Sequence, residues 1–225
     1  MNSFFIERPS NVPCVEAISW SRDALDNVDI LPAGNQSYMF VMKEKDQIRF
    51  AIGGPITHAL PVKITGGTEW VGFRFQLGTF MPHLLPQKLL NVATFLPNAR
   101  SDSFYLQGSA WQFPTIENAD TFVQRMVKQE LLVNDPLVRD VLQGRPPDVS
   151  VRSVQRRFVQ AVGVSHTAVQ QIDRAHRARL LLERGVSILD TVYEAGYFDQ
   201  PHLTRSMKRV FGLTPAQITS LIAVK

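Results

Sequence analysis

The chain has 225 residues, 44% of them apolar and 20% charged, which fits a soluble globular protein of one large or two ordinary domains rather than a disordered one. Its 24 basic and 20 acidic side chains leave +4 at pH 7. The excess lies entirely in the second half: residues 1–114 carry nine of each sign, while 115–225 carry fifteen basic and eleven acidic, so that half is the one suited to a polyanion. The single cysteine, Cys14, excludes an intramolecular disulfide framework and a zinc site of several thiolates. No apolar run approaches the ~18 residues of a membrane span. The start, Met1 to Arg8, lacks the basic and apolar regions of a secretory signal, so a cytoplasmic protein without a membrane partner is expected.

From residue 4 to about 114 the punctuation is that of a β-rich domain. Turn residues at Leu31-Pro32-Ala33-Gly34, Gly53-Gly54-Pro55, Thr65-Gly66-Gly67 and Leu77-Gly78 separate short runs at 37–42, 47–52, 59–64 and 69–77. In the last run Trp70, Gly72, Arg74 and Gln76 alternate with Val71, Phe73, Phe75 and Leu77, a strand with one apolar face. Strands at this spacing predict a sandwich or small barrel. Cys14 reads as a small buried thiol in an early strand.

After Pro114 the period becomes helical. A helix over 119–133 places Phe122, Met126, Val127 and Leu131 on one stripe, and Asn134-Asp135-Pro136 then opens a short helix, 136–143, with Asp135 as N-cap and Pro136 first inside. Beyond Gly144 and a loop containing Pro146 and Pro147, Ser150 caps Val151–Val162, which buries Val151, Val154 and Phe158 and stops at Gly163. A long amphipathic run follows at 167–184. Helices at 187–195, 200–211 and 215–223 complete the chain, with Asp199 as N-cap and Gly212 as stop for the middle one. A short helix, a turn and a second helix thus occur twice around one long helix.

The second of these units is the more informative. Ile188, Val192 and Ala195 face inward, Gly196 supplies a turn, and Leu203, Met207 and Phe211 recur at i, i+4 and i+8. The opposite face shows Gln200, His202, Arg205 and Arg209. A helix–turn–helix needs this combination, because one face packs on a scaffold helix while the other enters the major groove. Arginine can bond both acceptors of guanine, and glutamine can pair with adenine. In the first unit Arg152, Gln155, Arg156 and Arg157 point outward. Lys208 joins the basic groups of the second.

Residues 150–163, the long helix with Arg174, Ala178, Leu181 and Leu182, the stretch from Ala195-Gly196-Tyr197-Phe198-Asp199-Gln200-Pro201-His202 to Arg205, and the closing Phe211-Gly212-Leu213-Thr214-Pro215 together resemble the AraC/XylS family of bacterial transcription regulators. The resemblance implies two helix–turn–helix subdomains reading adjacent major-groove segments. By position it carries base reading to Arg152, Gln155 and Arg156, and to Gln200, Pro201, His202, Thr204 and Arg205. Pro201 departs from the usual polar occupant and cannot donate a hydrogen bond. The connection at 144–149 is also longer than the tight turn usual there, which favours the second unit as the specific reader.

The N-terminal half, through Val15-Glu16 with Trp20, Leu31-Pro32-Ala33-Gly34, Gly53-Gly54-Pro55 and Val71-Gly72-Phe73-Arg74-Phe75-Gln76-Leu77-Gly78, resembles the cupin-like sensor domain of some of these regulators. That implies a β-barrel able to hold a small molecule or to be plugged by side chains. Trp70, Phe73 and Phe75 with Arg49 and Arg74 are candidates to bind an anionic effector; core aromatics and exposed strand arginines are the plainer reading. His58, Glu69 and His83 lack the close histidine pair of a cupin metal site and read as surface or hydrogen-bonded groups, with no cofactor expected. Arg174 suits a structural tie between subdomains, and Asp190 and Glu194 suit helix ends. No nucleophile–base arrangement or phosphate-cradling loop points to an enzyme.

The expectation is therefore an α+β protein of two domains. A cupin-like β-barrel or sandwich at 1–114 senses or dimerises, and an all-α domain at 115–225, two helix–turn–helix subdomains joined by a long helix, binds DNA. Candidate partners are double-stranded promoter DNA, a small-molecule effector and a second copy of the chain. The alternatives are a metal-dependent cupin enzyme with a helical interaction module and a ligand-independent regulator.

Overall fold

The computed structural model describes residues 4–22, 27–44, 47–64, 68–96, 99–100, 103–145 and 148–223; the turn expected at Thr65-Gly66-Gly67 and the loop residues Pro146 and Pro147 lie outside them. The first part builds β1 (Phe4–Pro9), β2 (Val15–Arg22), β3 (Asn27–Leu31), β4 (Tyr38–Glu44), β5 (Gln47–Gly53), β6 (Leu60–Ile64), β7 (Thr68–Phe75) and the two-residue β8 (Thr79–Phe80). A 3-10 turn at Pro86–Leu89 leads to β9 (Ala93–Leu96), β10 (Ala99–Arg100), β11 (Ser103–Leu106) and β12 (Ser109–Gln112). An antiparallel six-stranded sheet runs β1-β2-β7-β4-β5-β9, β10-β11-β12 form a second sheet, and β3 pairs with β6 apart from both. Cys14 is buried as expected, but in the turn before β2 rather than in a strand.

Side-chain alternation decides which face of the main sheet is inside. Val71, Phe73 and Phe75 of β7 are buried, while Trp70 and Arg74 face out. Met39 and Val41 of β4 and Ile48, Phe50 and Ile52 of β5 join the same core, where Phe50 stacks on Phe104 of β11 with centroids 5.1 Å apart. The helix α1 (Ala119–Lys128) closes this core: Phe122 stacks on Phe73 at 5.5 Å and meets Trp111 edge-on at 5.3 Å. On the outer face Phe40 meets Trp70 edge-on at 5.3 Å. Both rings lie over Gly72, where a Cβ would come within 2.7 Å of each.

Two expectations are corrected here. The helix anticipated over 119–133 stops at Lys128: Glu130 takes the left-handed region at φ 55°, and the Leu131 N–H returns to the Met126 carbonyl at 3.0 Å. Leu131 and Leu132 then turn back into the β core, β13 (Val133–Asn134) pairs with β8, and Val127 is left 39% exposed. The division at 114/115 consequently cuts through a single core, which continues to Leu132. An amphipathic helix shows in sequence that it buries a face, but not against which neighbour.

The helical part follows as α2 (Pro136–Leu142), α3 (Val151–Val162), α4 (His166–Glu183), α5 (Ile188–Glu194), α6 (Gln200–Phe211) and α7 (Pro215–Ala223). Asp135, Ser150, Ser165, Ser187 and Asp199 each accept a backbone N–H at the start of α2 through α6, satisfying a donor that the helix leaves unpaired. Gly163 ends α3 at φ 89°, and a Cβ there would stand 2.9 Å from Pro86. No helix among the described residues is long and apolar enough to cross a membrane.

Candidate nucleic-acid interface

The second unit is built by its own sequence. Ser187 accepts the Asp190 N–H at 3.1 Å and donates its hydroxyl to the Asp190 carboxylate at 2.6 Å, giving that acid a structural place at the start of α5. Gly196 turns the chain at φ 73°, and the Tyr197 N–H closes on the Val192 carbonyl at 2.8 Å. Asp199 then accepts the His202 N–H at 2.6 Å to start α6, with Pro201 in its first turn. Leu203, Met207, Val210 and Phe211 are buried against Val192 and Ala195 of the α5 side and against Ile172, Ala175, Ala178 and Leu182 of α4.

This packing leaves Gln200, Pro201, Arg205 and Lys208 exposed along α6, with Thr204 half-buried between them. His202 is partly withdrawn. Its ring meets Tyr197 edge-on at 5.0 Å, and the Tyr197 hydroxyl lies 2.9 Å from that of Ser206. Burial pushes the Tyr197 phenol above its ordinary pKa, against the Ser206 hydrogen bond and the Arg174 and Arg177 charges. Arg174 ties α4 to the turn: it donates to the Gly196 carbonyl at 3.1 Å and lies 5.2 Å from the Tyr197 ring centre. Arg177 donates to the Ala195 carbonyl at 3.3 Å.

In the first unit Phe158, Ala161 and Val162 of α3 pack with Val138, Val164 and Val169, and Leu77 and Phe80 of the β part lean on the same cluster. Arg152, Gln155 and Arg156 lie exposed at i, i+3 and i+4 on one edge of α3. Val151, expected to be buried, is 74% exposed, because the first turn of α3 projects beyond that cluster.

Two of the expected DNA contacts are engaged elsewhere. Arg157 donates Nε and Nη2 to the two carboxylate oxygens of Asp135 at 3.1 and 2.7 Å. Arg209 donates Nε to the Thr57 carbonyl at 3.2 Å, while its own carbonyl accepts the Ala59 N–H at 2.8 Å. Arg209 therefore belongs to a seam with the β part that the sequence does not disclose. There the Ala33 N–H bonds the Val210 carbonyl at 2.8 Å, and His176 donates Nε2–H to the Ala33 carbonyl at 2.7 Å. Asn35 donates to the Asp173 carboxylate at 2.7 Å and to the Val169 carbonyl at 3.3 Å. Burial raises the Asp173 pKa, opposed by the Asn35 hydrogen bond and the His176 charge.

The expected effector residues do not converge. Phe73 and Phe75 fill the core, Trp70 lies on the outer face, and Arg49 is exposed on β5. Arg74 reaches Glu7 at 3.4 Å and Glu16 at 3.6 Å. Alternation along β7 sends Phe73 and Phe75 to the inner face and Trp70 and Arg74 to the outer one, which Arg49 of β5 shares, so the five do not line one pocket. Clefts lie elsewhere: one of about 670 Å³ beside Trp111, Phe113, Phe122 and Arg125, and one of about 330 Å³ at the seam beside Asn35, Leu77, Asp173 and His176. His58 and His83 are exposed, and Glu69 accepts the Trp20 indole N–H at 3.2 Å. Among the described residues no group of three or more His, Cys, Asp or Glu is placed to hold a metal ion.

A scaffold helix, a glycine turn and a capped second helix with a polar face form a helix–turn–helix, and residues 148–220 match the family model described as "Helix-turn-helix domain". The HTH-type transcriptional regulator VirS of Mycobacterium tuberculosis is 34% identical over 70 residues, which are 31% of this chain and 21% of that protein, so the match spans about a fifth of the relative's length. Among solved structures, ToxT from Vibrio cholerae O395 is 10% identical with a TM-score of 0.41, covering 97% of this chain and 98% of that one. ToxT bound to (E)-4-(8-methylnaphthalen-1-yl)but-3-enoic acid is 9% identical with a TM-score of 0.41, covering 98% of each. The architecture here rests on its own strand order and helix packing.

Proposed function

We propose that the chain is a sequence-specific DNA-binding transcription regulator whose work is binding rather than catalysis. The carrying observation is α6: buried on one side against α4 and α5, and exposed on the other through Gln200 and Arg205, with Thr204 half-buried between them and Lys208 beyond. The first turn of α6 reads base edges, with His202 taking a secondary, partly buried place. Lys208 meets phosphate, and Arg152, Gln155 and Arg156 of α3 serve the adjacent groove segment.

In this reading the β part, through about Asn134, is the regulatory unit, and a homodimer and a cytoplasmic location complete it. A small molecule controls such a protein only by binding the DNA-competent and incompetent states unequally. The cleft at the seam, bordered by both parts, is where that inequality would arise. Footprinting of the full chain on DNA flanking its own gene, with light scattering on the complex, tests the whole. Protection of two major-groove segments one helical turn apart is expected. Equal protection of unrelated DNA would overturn the proposal.

A further inference from the structure

Phe198 is 91% exposed, the most exposed of the large apolar side chains among the described residues. It directly precedes Asp199, the N-cap of α6. An apolar residue at that position ordinarily folds back onto the fourth residue of the helix. Here the fourth residue is Leu203, which is sealed in the core, and Phe198 does not cover it. Its neighbour Tyr197 points inward to His202 and Ser206, so Phe198 projects away from the packed side.

The chemistry around it narrows what could cover the ring. Pro201, three residues on and also exposed, offers no donor, so the segment that opens α6 carries two exposed apolar residues. Gln200 and Arg205 flank them, and the adjacent Asp199 carboxylate is occupied by the His202 N–H. An apolar point framed by a cationic and an amide side chain suits a polyanion carrying an apolar group on its reading edge. In the major groove that group is the thymine C5 methyl.

We infer that Phe198, beside Pro201, is a specificity-determining residue that reads a thymine methyl at the tip of α6; this rests on the DNA-reading function proposed above. The test uses the full chain and the duplex it selects from a random-sequence DNA pool, with each thymine replaced in turn by deoxyuridine, which lacks only the methyl. The parent should lose about four-fold in affinity at one or two thymines, the weight of one buried methyl group. Phe198→Ala should bind the thymine duplex correspondingly more weakly and show no further loss with deoxyuridine there. Phe198→Leu should keep the response, as should Tyr193→Ala, which alters another exposed aromatic on α5. A parent indifferent to every deoxyuridine, or Phe198→Ala still showing the parent's full loss, would overturn the inference while leaving DNA reading intact. Failure to select any duplex would overturn both.

Discussion

Arg157 of α3 grips Asp135 with two parallel hydrogen bonds of 3.1 and 2.7 Å, and the same carboxylate caps α2 through the Leu137 N–H at 3.0 Å. One acid thus starts one helix and anchors the next, across a connection far longer than a tight turn. Arg157→Ala should cost about 1 kcal/mol of stability, as expected for a paired arginine that is partly exposed. Its base preferences on DNA should match the parent's. Urea midpoints and a scan of operator substitutions check the two halves, and altered preference at a single base position would return Arg157 to the interface.

Arg205 and Lys208 sit a turn apart on α6, and their expected roles differ. Arg205→Ala should remove about 1–3 kcal/mol at one base position and relax preference there. Lys208→Ala should weaken binding to all sequences alike and lower the salt slope by about one. Titrations at several salt concentrations, on the preferred duplex and on its single substitutions, separate the two. A mutant at position 205 that suffers equally from every substitution would contradict base reading.

Local signals carried much of this architecture. The caps at Asp135, Ser150 and Asp199, the left-handed glycines 163 and 212, and the alternation along β7 all depend on neighbours within a few residues, and all are realised. The seam was not legible, because it joins Ala33, Asn35, Thr57 and Ala59 to Asp173, His176 and Arg209 through backbone carbonyls and small residues without periodicity. For the same reason the outward arginines looked alike in sequence. Only the fold distinguishes Arg209, drawn to Thr57, from Arg205, left open. Phe198 lay between two predicted helices, where helical spacing says nothing about direction.

The seam makes its own prediction. Asn35 is 6% exposed and gives the Asp173 carboxylate a short hydrogen bond. Removing its amide leaves that carboxylate without this donor in a partly desolvated place. Asn35→Ala should therefore cost about 1.5–3 kcal/mol. It should also speed hydrogen exchange at the Ala33 and Ala59 amides, which bond the end of α6. Unchanged exchange at both amides alongside lowered global stability would show that Asn35 supports only the β part.

Asp120 carries the clearest pH signature. It lies in the first turn of α1, 2.7 Å from Arg8, and accepts the Ser10 hydroxyl at 2.7 Å and the Asn11 N–H at 3.0 Å. Burial pushes its carboxyl up, but the Ser10, Arg8 and Asn11 hydrogen bonds and the Arg8 charge outweigh it, leaving the pKa below the ordinary 3.8. The helix N-terminus favours the same charged form. A depressed folded-state pKa contributes stability that is present above the unfolded value and lost as pH falls through the folded one. Asp120→Asn keeps the shape and removes the charge. It should be less stable than the parent by about 1.5–3 kcal/mol at pH 7. The gap should begin to narrow below about pH 4, where the unfolded parent's carboxylate protonates, and go on narrowing as pH falls through the depressed folded value. Denaturant melts of both proteins from pH 7 down to pH 3 measure it, and a gap that stays constant throughout would assign the loss to packing rather than to charge.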